Sequence, residues 1–330
     1  MKLREFGEFG LIDRIAGRVS RKSGVRTGIG DDAAVVELSS GCITLVTSDM
    51  LVEGVHFDLA LCDPHTLGRK SLAVNLSDIA AMGGRPRHFL LSFALPESLS
   101  VEFFDGFVKG LLDLADEFDV ALVGGDTCAS RDGLVISVTV MGEQLPGRII
   151  NRHGAQPGDL IFVTGNLGDS ALGLRLLRNG ERMGPVVMKH LDPSPRVREG
   201  LELAEAGIPT AMIDVSDGLL ADLGHILDLS GVGARVDLAK VPLSDSFIER
   251  QAAFEGDPFL LPLAGGEDYE LLFTAPSTKM EAAGVLLGRL GTRLSVIGEV
   301  TAGGGMQVVA VDGSDYRPVA RGYNHFSCVN

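Results

Sequence analysis

The sequence predicts an α+β chain of two domains, and three observations carry that reading. Its 330 residues, 45% of them hydrophobic, exceed one ordinary core and suit two. Apolar, β-branched runs alternate with stretches of helical period. Glycine, proline and basic residues gather in GEQLPGRIINRHGAQPGD, which places a boundary near Pro146 and gives domains 1–146 and 147–330.

The opening MKLREFGEFGLIDRIAG carries Phe6, Phe9, Ile12 and Ile15 on related faces among charges, a pattern of an amphipathic helix and not of a secretory apolar core. The Gly-Asp loop GIGDDAAVV follows, with no clear strand before it. A strand is expected over 42–47, ending in SDMLVEGVHF. Over 65–82, Leu67, Leu72, Leu76 and Ile79 recur at helical spacing until Gly83, Gly84 and Pro86 stop the helix, while Ser71, Asn75 and Asp78 share another face. Strands are expected over 88–95, 120–123 and 134–141, with an amphipathic helix over 101–118.

In the second half, a strand at 160–163 leads through GNLGDSALGLRLLRNG into a helix closed by Gly180. Pro193 and Pro195 precede a helix through Ala206. MIDVSDGLLADLGHILDLSG then runs strand, acidic loop, helix, with Asp217 near the helix N-terminus, and GGGMQVVAVDG reads as a hairpin. No short-period repeat occurs, and no apolar stretch is long and uncharged enough to span a membrane.

A net charge of -15 argues against nucleic acid or an anionic membrane as partner; an anionic substrate would need bridging cations. Cys42, Cys62, Cys128 and Cys328 form no CxxC pair, so they read as reduced, mostly buried thiols of a cytoplasmic protein.

Acids gather where apolar runs end: Asp31 and Asp32, Asp49, Asp126, then Asp214 with Asp217. Together they would repel one another unless metal neutralised them, which points to divalent cations and metal-assisted phosphate chemistry. Asp78, projecting from an apolar helix, is a further candidate ligand. Gly124 and Gly125 allow close backbone approach beside Asp126 and the Thr127 hydroxyl, although a tight turn explains the glycines equally well. An N-cap would need one of Asp214, Ser216 and Asp217, and three are supplied. GGEDYELLF sets Glu267 and Asp268 at the start of a strand, where acids are poor formers. His56, read by itself, is a core or turn histidine.

GIGDDAA satisfies GxGxxA, but two carboxylates would face a pyrophosphate there, so a dinucleotide loop is rejected. GxxxxGK[ST], the protein-kinase motif set, GxSxG and HExxH are all absent from the sequence.

Taken in order, GIGDDAAV, TSDMLVEGVHF, KSLAVNLSDIAAMGGRP, LVGGDT, NRHGAQPGD, TGNLGDSALGL, DVSDGLL, GGEDYELLF and GYNHF resemble the thiamine-monophosphate kinase family over nearly the whole chain. The resemblance implies a two-domain fold like that of aminoimidazole ribonucleotide synthetase. It implies a cytoplasmic homodimer whose N-terminal strands form an interface barrel, with the C-terminal domain completing the active site. The implied reaction is direct transfer of the γ-phosphoryl of ATP to thiamine monophosphate with several Mg²⁺ ions.

Carried over by motif, the resemblance makes Asp32, Thr47, Ser48, Asp49, Asp78, Asp126, Asp214 and Asp217 the metal ligands. Asp32, Asp49, Asp78, Asp126 and Asp214 would act catalytically through the metal. Gly125, Asp126, Arg152 and Ser216 would contact ATP, and His56, Glu267 and Tyr323 the thiamine side. Val108 stands where the family often carries Tyr, which removes an implied adenine-stacking contact. The rivals are an amidine-forming ligase of the same superfamily and a non-catalytic cation or nucleotide sensor. Hydrogenase-maturation relatives end in a reactive cysteine, whereas Cys328 is followed by Val329 and Asn330 and reads as an ordinary thiol.

Overall fold

Backbone packing divides the chain after Gly147, with the short segment Ala80–Gly83 grouped with the second unit. The computed structural model describes residues 3–5, 7–20, 22–251, 256–320, 322, 323 and 325. Phe6, Cys328 and two residues of GYNHF, Asn324 and Phe326, lie outside the described residues.

The first unit runs α1 (Gly7–Ala16), β1 (Val25–Thr27), β2 (Val35–Val36), β3 (Ile43–Val52), α2 (Pro64–Ala81), β4 (Arg85–Pro96), α3 (Val101–Glu117), β5 (Ala121–Ser130) and β6 (Val135–Gln144). Four strands form an open sheet in the order β3-β6-β4-β5, antiparallel except for the β4/β5 pair that α3 connects. No closed barrel is present among the described residues. β3 is an edge strand whose outer side chains Val46 and Met50 are 65% and 57% exposed.

Helix α3 starts at the side-chain cap of Ser100 and packs Phe104 and Phe107 on Phe93 of β4. It also meets α2 closely, because a Cβ at Gly110 would lie 1.9 Å from the His65 carbonyl oxygen. Val108 is fully buried in this packing, so a core side chain occupies the position compared above with an adenine-stacking Tyr. Two buried polar side chains of α2 bond within the helix: Ser71 Oγ donates to the Leu67 carbonyl and Asn75 Nδ2 to that of Ser71.

Three expectations need correction here. The strands expected to stop at Thr47 and Val123 continue to Val52 and Ser130, so Asp49 and Asp126 lie within strands, not at their ends. Cross-strand pairing, Asp49 with Val138 and Asp126 with Ser92, overrides the weak strand propensity of acids. A short strand, β1, does precede GIGDDAA; it pairs with β2 and the next helix begins only at Pro64, so the loop still lacks the helix that a dinucleotide site requires. The described cysteines are free but not mostly buried: Cys42 and Cys62 are half-buried and Cys128, on edge strand β5, is exposed.

The second unit runs β7 (Asp159–Thr164), α4 (Asp169–Arg178), α5 (Pro185–Leu191), α6 (Val197–Glu205), β8 (Ala211–Asp214), α7 (Leu219–Ser230), β9 (Gly233–Asp237), α8 (Asp245–Gln251), α9 (Leu260–Ala264), β10 (Leu271–Pro276), α10 (Met280–Arg289), β11 (Leu294–Thr301), β12 (Gly305–Val309) and β13 (Asp315–Tyr316). Seven strands form one sheet, β13-β12-β9-β11-β7-β10-β8. Leu219, Leu223 and Ile226 of α7 join Ile161, Val163 and Ile213 in its core. Phe162 and Phe273 stack at 5.0 Å. Among the described residues no helix is long and apolar enough to cross a membrane.

Candidate active site

In the first unit, the two-residue alternation of β3 sets Leu45, Thr47, Asp49 and Leu51 on one side and Val46, Ser48 and Met50 on the other. Thr47 Oγ1 donates to Asp78 Oδ2 of α2 at 2.5 Å, and the Asp49 amide donates to Asn75 Oδ1 at 3.0 Å. Asn75 thus fixes the backbone from which Asp49 projects. Burial, and then the charge of Asp78, push the Asp49 carboxyl up to about 6. Ser48 does not join this group; its hydroxyl meets Thr139 Oγ1 at 2.8 Å on the other side.

Gly125 on β5 has φ +154°, and a Cβ there would lie 1.7 Å from the Leu91 carbonyl oxygen, so only glycine fits. Asp126 beside it is exposed and accepts the Thr127 amide. Asp32 is exposed in the loop after Gly30, its amide donating to Asp31. His56 is a turn histidine in geometry: Nδ1 accepts the Val52 amide at 3.0 Å, which puts the proton of the neutral ring on Nε2.

In the second unit, β8 ends at Asp214, only 2% exposed, and the loop 215–218 leads into α7. The amides of Ser216, Asp217 and Gly218 all donate to Oδ2 of Asp222, at 3.0, 3.1 and 3.1 Å. The carbonyls of Val215, Ser216 and Asp217 accept from the amides of Tyr269, Glu267 and Tyr323 at 2.9, 2.8 and 3.0 Å. Glu267 and Tyr269 have φ of 59° and 52°, so the GGEDYE segment is a left-handed turn ahead of β10 and not the expected strand start. That conformation aims its amides at the loop. Glu267 Oε2 lies 3.3 Å from Nδ1 of buried His190, which also meets Ser170 Oγ at 3.1 Å. Tyr323 is half-exposed and stands edge-on to His325 at 4.9 Å. Arg152 is exposed.

The donors named for metal are all oxygens, the chemistry a hard divalent cation takes, and the mutual repulsion of Asp49 and Asp78 is what such an ion would relieve. The residues fit Mg²⁺ in kind. Of these donors Thr47, Asp49 and Asp78 are brought together, and among the described residues no group of three or more His, Cys, Asp or Glu is gathered tightly enough to hold a metal.

Reading the sequence missed the groups that hold these segments. Asp222 lies in the first turn of α7, and burial, then the charge of Asp217, push it up to about 7. Asp268 accepts the amides of Gly168 and Ser170 ahead of and within α4, and its burial pushes it up to about 8. Helix α5, which brings His190, was not foreseen either. The available signal was the acid spacing itself, since Asp222 follows Asp214 and Asp217 on one short run.

Residues 30–144 match the N-terminal domain of AIR synthase related protein and residues 156–311 its C-terminal domain. Thiamine-monophosphate kinase of Salmonella typhimurium is 41% identical over 97% of this chain and 98% of its own. That of Bacillus subtilis is 36% identical over 97% and 99%. Among solved structures, thiamine-monophosphate kinase from Stenotrophomonas maltophilia superposes with TM-score 0.83 at 40% identity, covering 96% of this chain and 99% of that one. AaThiL complexed with AMPPCP and TMP gives 0.77 at 36% identity, covering 99% of both. Full-length similarity at this level, with both domains matched, establishes that the chain belongs to the thiamine-monophosphate kinase family.

Proposed function

We propose that this chain transfers the γ-phosphoryl of ATP directly to thiamine monophosphate, giving thiamine diphosphate and ADP, with Mg²⁺ as its metal. The observation that carries the reading is near-full-length identity with thiamine-monophosphate kinases, one relative being complexed with AMPPCP and TMP. The nucleophile is an oxygen of a phosphate monoester whose second pKa is about 6, so it is largely dianionic at neutral pH and needs no general base. The residues have to position two polyanions and offset their repulsion.

Thr47, Asp49 and Asp78, with Asp32, Ser48 and Asp126, are the ligands assigned to metal in the first unit, and Asp214 and Asp217 those in the second. When bound, Mg²⁺ would supply charge neutralisation for the phosphate oxygens of the two substrates. Gly125 offers a backbone where no side chain intrudes, Ser216 a hydroxyl, and Arg152 a planar, permanently charged fork for phosphate oxygens. His56, Glu267 and Tyr323 are assigned to the acceptor, Tyr323 by stacking on a cationic heterocycle. The exposed apolar edge of β3 is assigned to a homodimer in which a second copy closes the sheet into a barrel. Residues 1–146 would then bind metal and nucleotide and dimerise, 147–330 would supply further active-site residues, and the enzyme would work in the cytoplasm.

Incubation with MgATP and thiamine monophosphate should give thiamine diphosphate and ADP in equal amounts, and EDTA should abolish both. Free phosphate with unchanged thiamine monophosphate would overturn the reading. Arg152→Ala should weaken use of ATP by about 1.5–3 kcal/mol per lost charge-assisted bond, with Lys restoring part of it. An unchanged KM and kcat would assign Arg152 to its loop alone. Glu267→Gln, Tyr323→Ala and His56→Ala should each raise the KM for thiamine monophosphate more than that for ATP; equal rises would withdraw them from the acceptor side.

A further inference from the structure

We infer that Asp222 is a positioning residue on which both substrates depend, because its one carboxylate holds the loop 215–218 from which donor-side and acceptor-side groups are both suspended. The inference rests on the proposed assignment of Asp214, Ser216 and Asp217 to metal and nucleotide, and of Glu267 and Tyr323 to the acceptor.

Asp222 is 2% exposed, and a single oxygen receives the amides of Ser216, Asp217 and Gly218. This is more than a helix cap: the Gly218 amide belongs to the N-cap of α7, but those of Ser216 and Asp217 precede the helix. The carboxyl group therefore orders the loop as well as the helix terminus. Three amides converge on this one oxygen, and without it they would lose their side-chain acceptor in a half-buried loop.

The opposite edge of the same loop holds the acceptor-side segments. Its successive carbonyls receive Tyr269, Glu267 and Tyr323. The turn bearing Glu267 and the segment bearing Tyr323 are thus fastened to the backbone that presents Ser216 and Asp217. A shift of that backbone displaces all four side chains together, and a misplacement of about 1 Å is enough to lower a rate by about a hundredfold. Substitutions at Arg152 or Tyr323 reach one substrate; a substitution at Asp222 reaches both.

The test compares Asp222→Ala, Asp222→Asn and Ile226→Val, the last a fully buried change on the same helix. KM for MgATP, KM for thiamine monophosphate and kcat are measured, with hydrogen exchange of amides 216–218 in metal-free protein. Asp222→Ala should raise both KM values about tenfold, lower kcat/KM about a hundredfold for each substrate and release the three amides to fast exchange. Asp222→Asn keeps an accepting oxygen without the charge and should show the same pattern more weakly. If the alanine variant fails to fold, the asparagine variant carries the comparison. Ile226→Val should lower Tm and leave both KM values alone. Slow exchange in a folded Asp222 variant, or a KM rise confined to one substrate, overturns the inference. A wild type that forms no thiamine diphosphate overturns the assignment of the reaction instead, and the exchange data still decide whether Asp222 holds the loop.

Discussion

Glu270→Ala should destabilise the protein by about 3–5 kcal/mol, the range found when one partner of a buried ion pair is removed and the other stays. Glu270 is 2% exposed. Its two oxygens each receive one nitrogen of Arg196 at 2.6 Å, and Thr164 Oγ1 adds a third bond at 2.7 Å. Burial opposes the charge of Arg196, yet Glu270 and then Glu199 outweigh it and raise the guanidinium above its ordinary value. Alanine leaves that cation with Glu199 alone at 3.3 Å, and Glu199 is already accepting Thr292 Oγ1. The void is also polar-lined, because Arg196 and the Thr164 hydroxyl face it.

Removing both charges should cost much less. Arg196→Met with Glu270→Gln eliminates the stranded cation, so the double variant should be more stable than Glu270→Ala. Urea unfolding of Glu270→Ala, Glu270→Gln, Arg196→Met and the double variant measures this. A Glu270→Ala protein within 1 kcal/mol of wild type would show that the pair adds little. The consequence reaches the site, since the Glu270 carbonyl accepts the Val215 amide at 2.8 Å and so anchors one end of the acidic loop.

These dependences explain what was legible in the sequence. Motifs such as NLSDIAAMG and DVSDGL name the chemistry because their composition is extreme, and helix α2 was placed within a residue at each end because Gly83 and Gly84 stop it. Strand extent was not legible. β3 keeps pairing past Thr47 because β6 offers it ten consecutive partners, a fact stored about ninety residues away. The same pairing decides that Thr47 and not Ser48 meets Asp78, since alternation sends neighbours to opposite sides. Asp222 and the Arg196–Glu270 pair were invisible for a similar reason. A buried acid looks like a surface acid until its partners are known, and left-handed Glu267 carries no side-chain signature of its backbone.

Asp78→Asn should leave the metal-free protein as stable as wild type or slightly more stable, yet remove most of the stabilisation that MgATP confers and lower turnover about a hundredfold or more. In EDTA the charge of Asp78 acts against Asp49, and asparagine can still accept the Thr47 hydroxyl, so the loss of charge is a relief. The pH dependence follows by sign. Asp49 has a folded pKa of about 6 against an ordinary 3.8, so the folded state binds its proton more tightly, and stability from this group is full below 3.8 and lost as pH rises through about 6. Burial contributes most of that shift and persists in the variant, whereas the part due to Asp78 disappears. Melts in EDTA from pH 4 to 7 should therefore fall less steeply for Asp78→Asn than for wild type. With MgATP the order should reverse: wild type gains RT ln(1 + [L]/Kd), about 2.7 kcal/mol at a hundredfold excess over Kd, and the variant far less. A variant that is less stable in EDTA and still shows the full MgATP shift would assign Asp78 to the packing of α2 on β3 and take it out of the metal site.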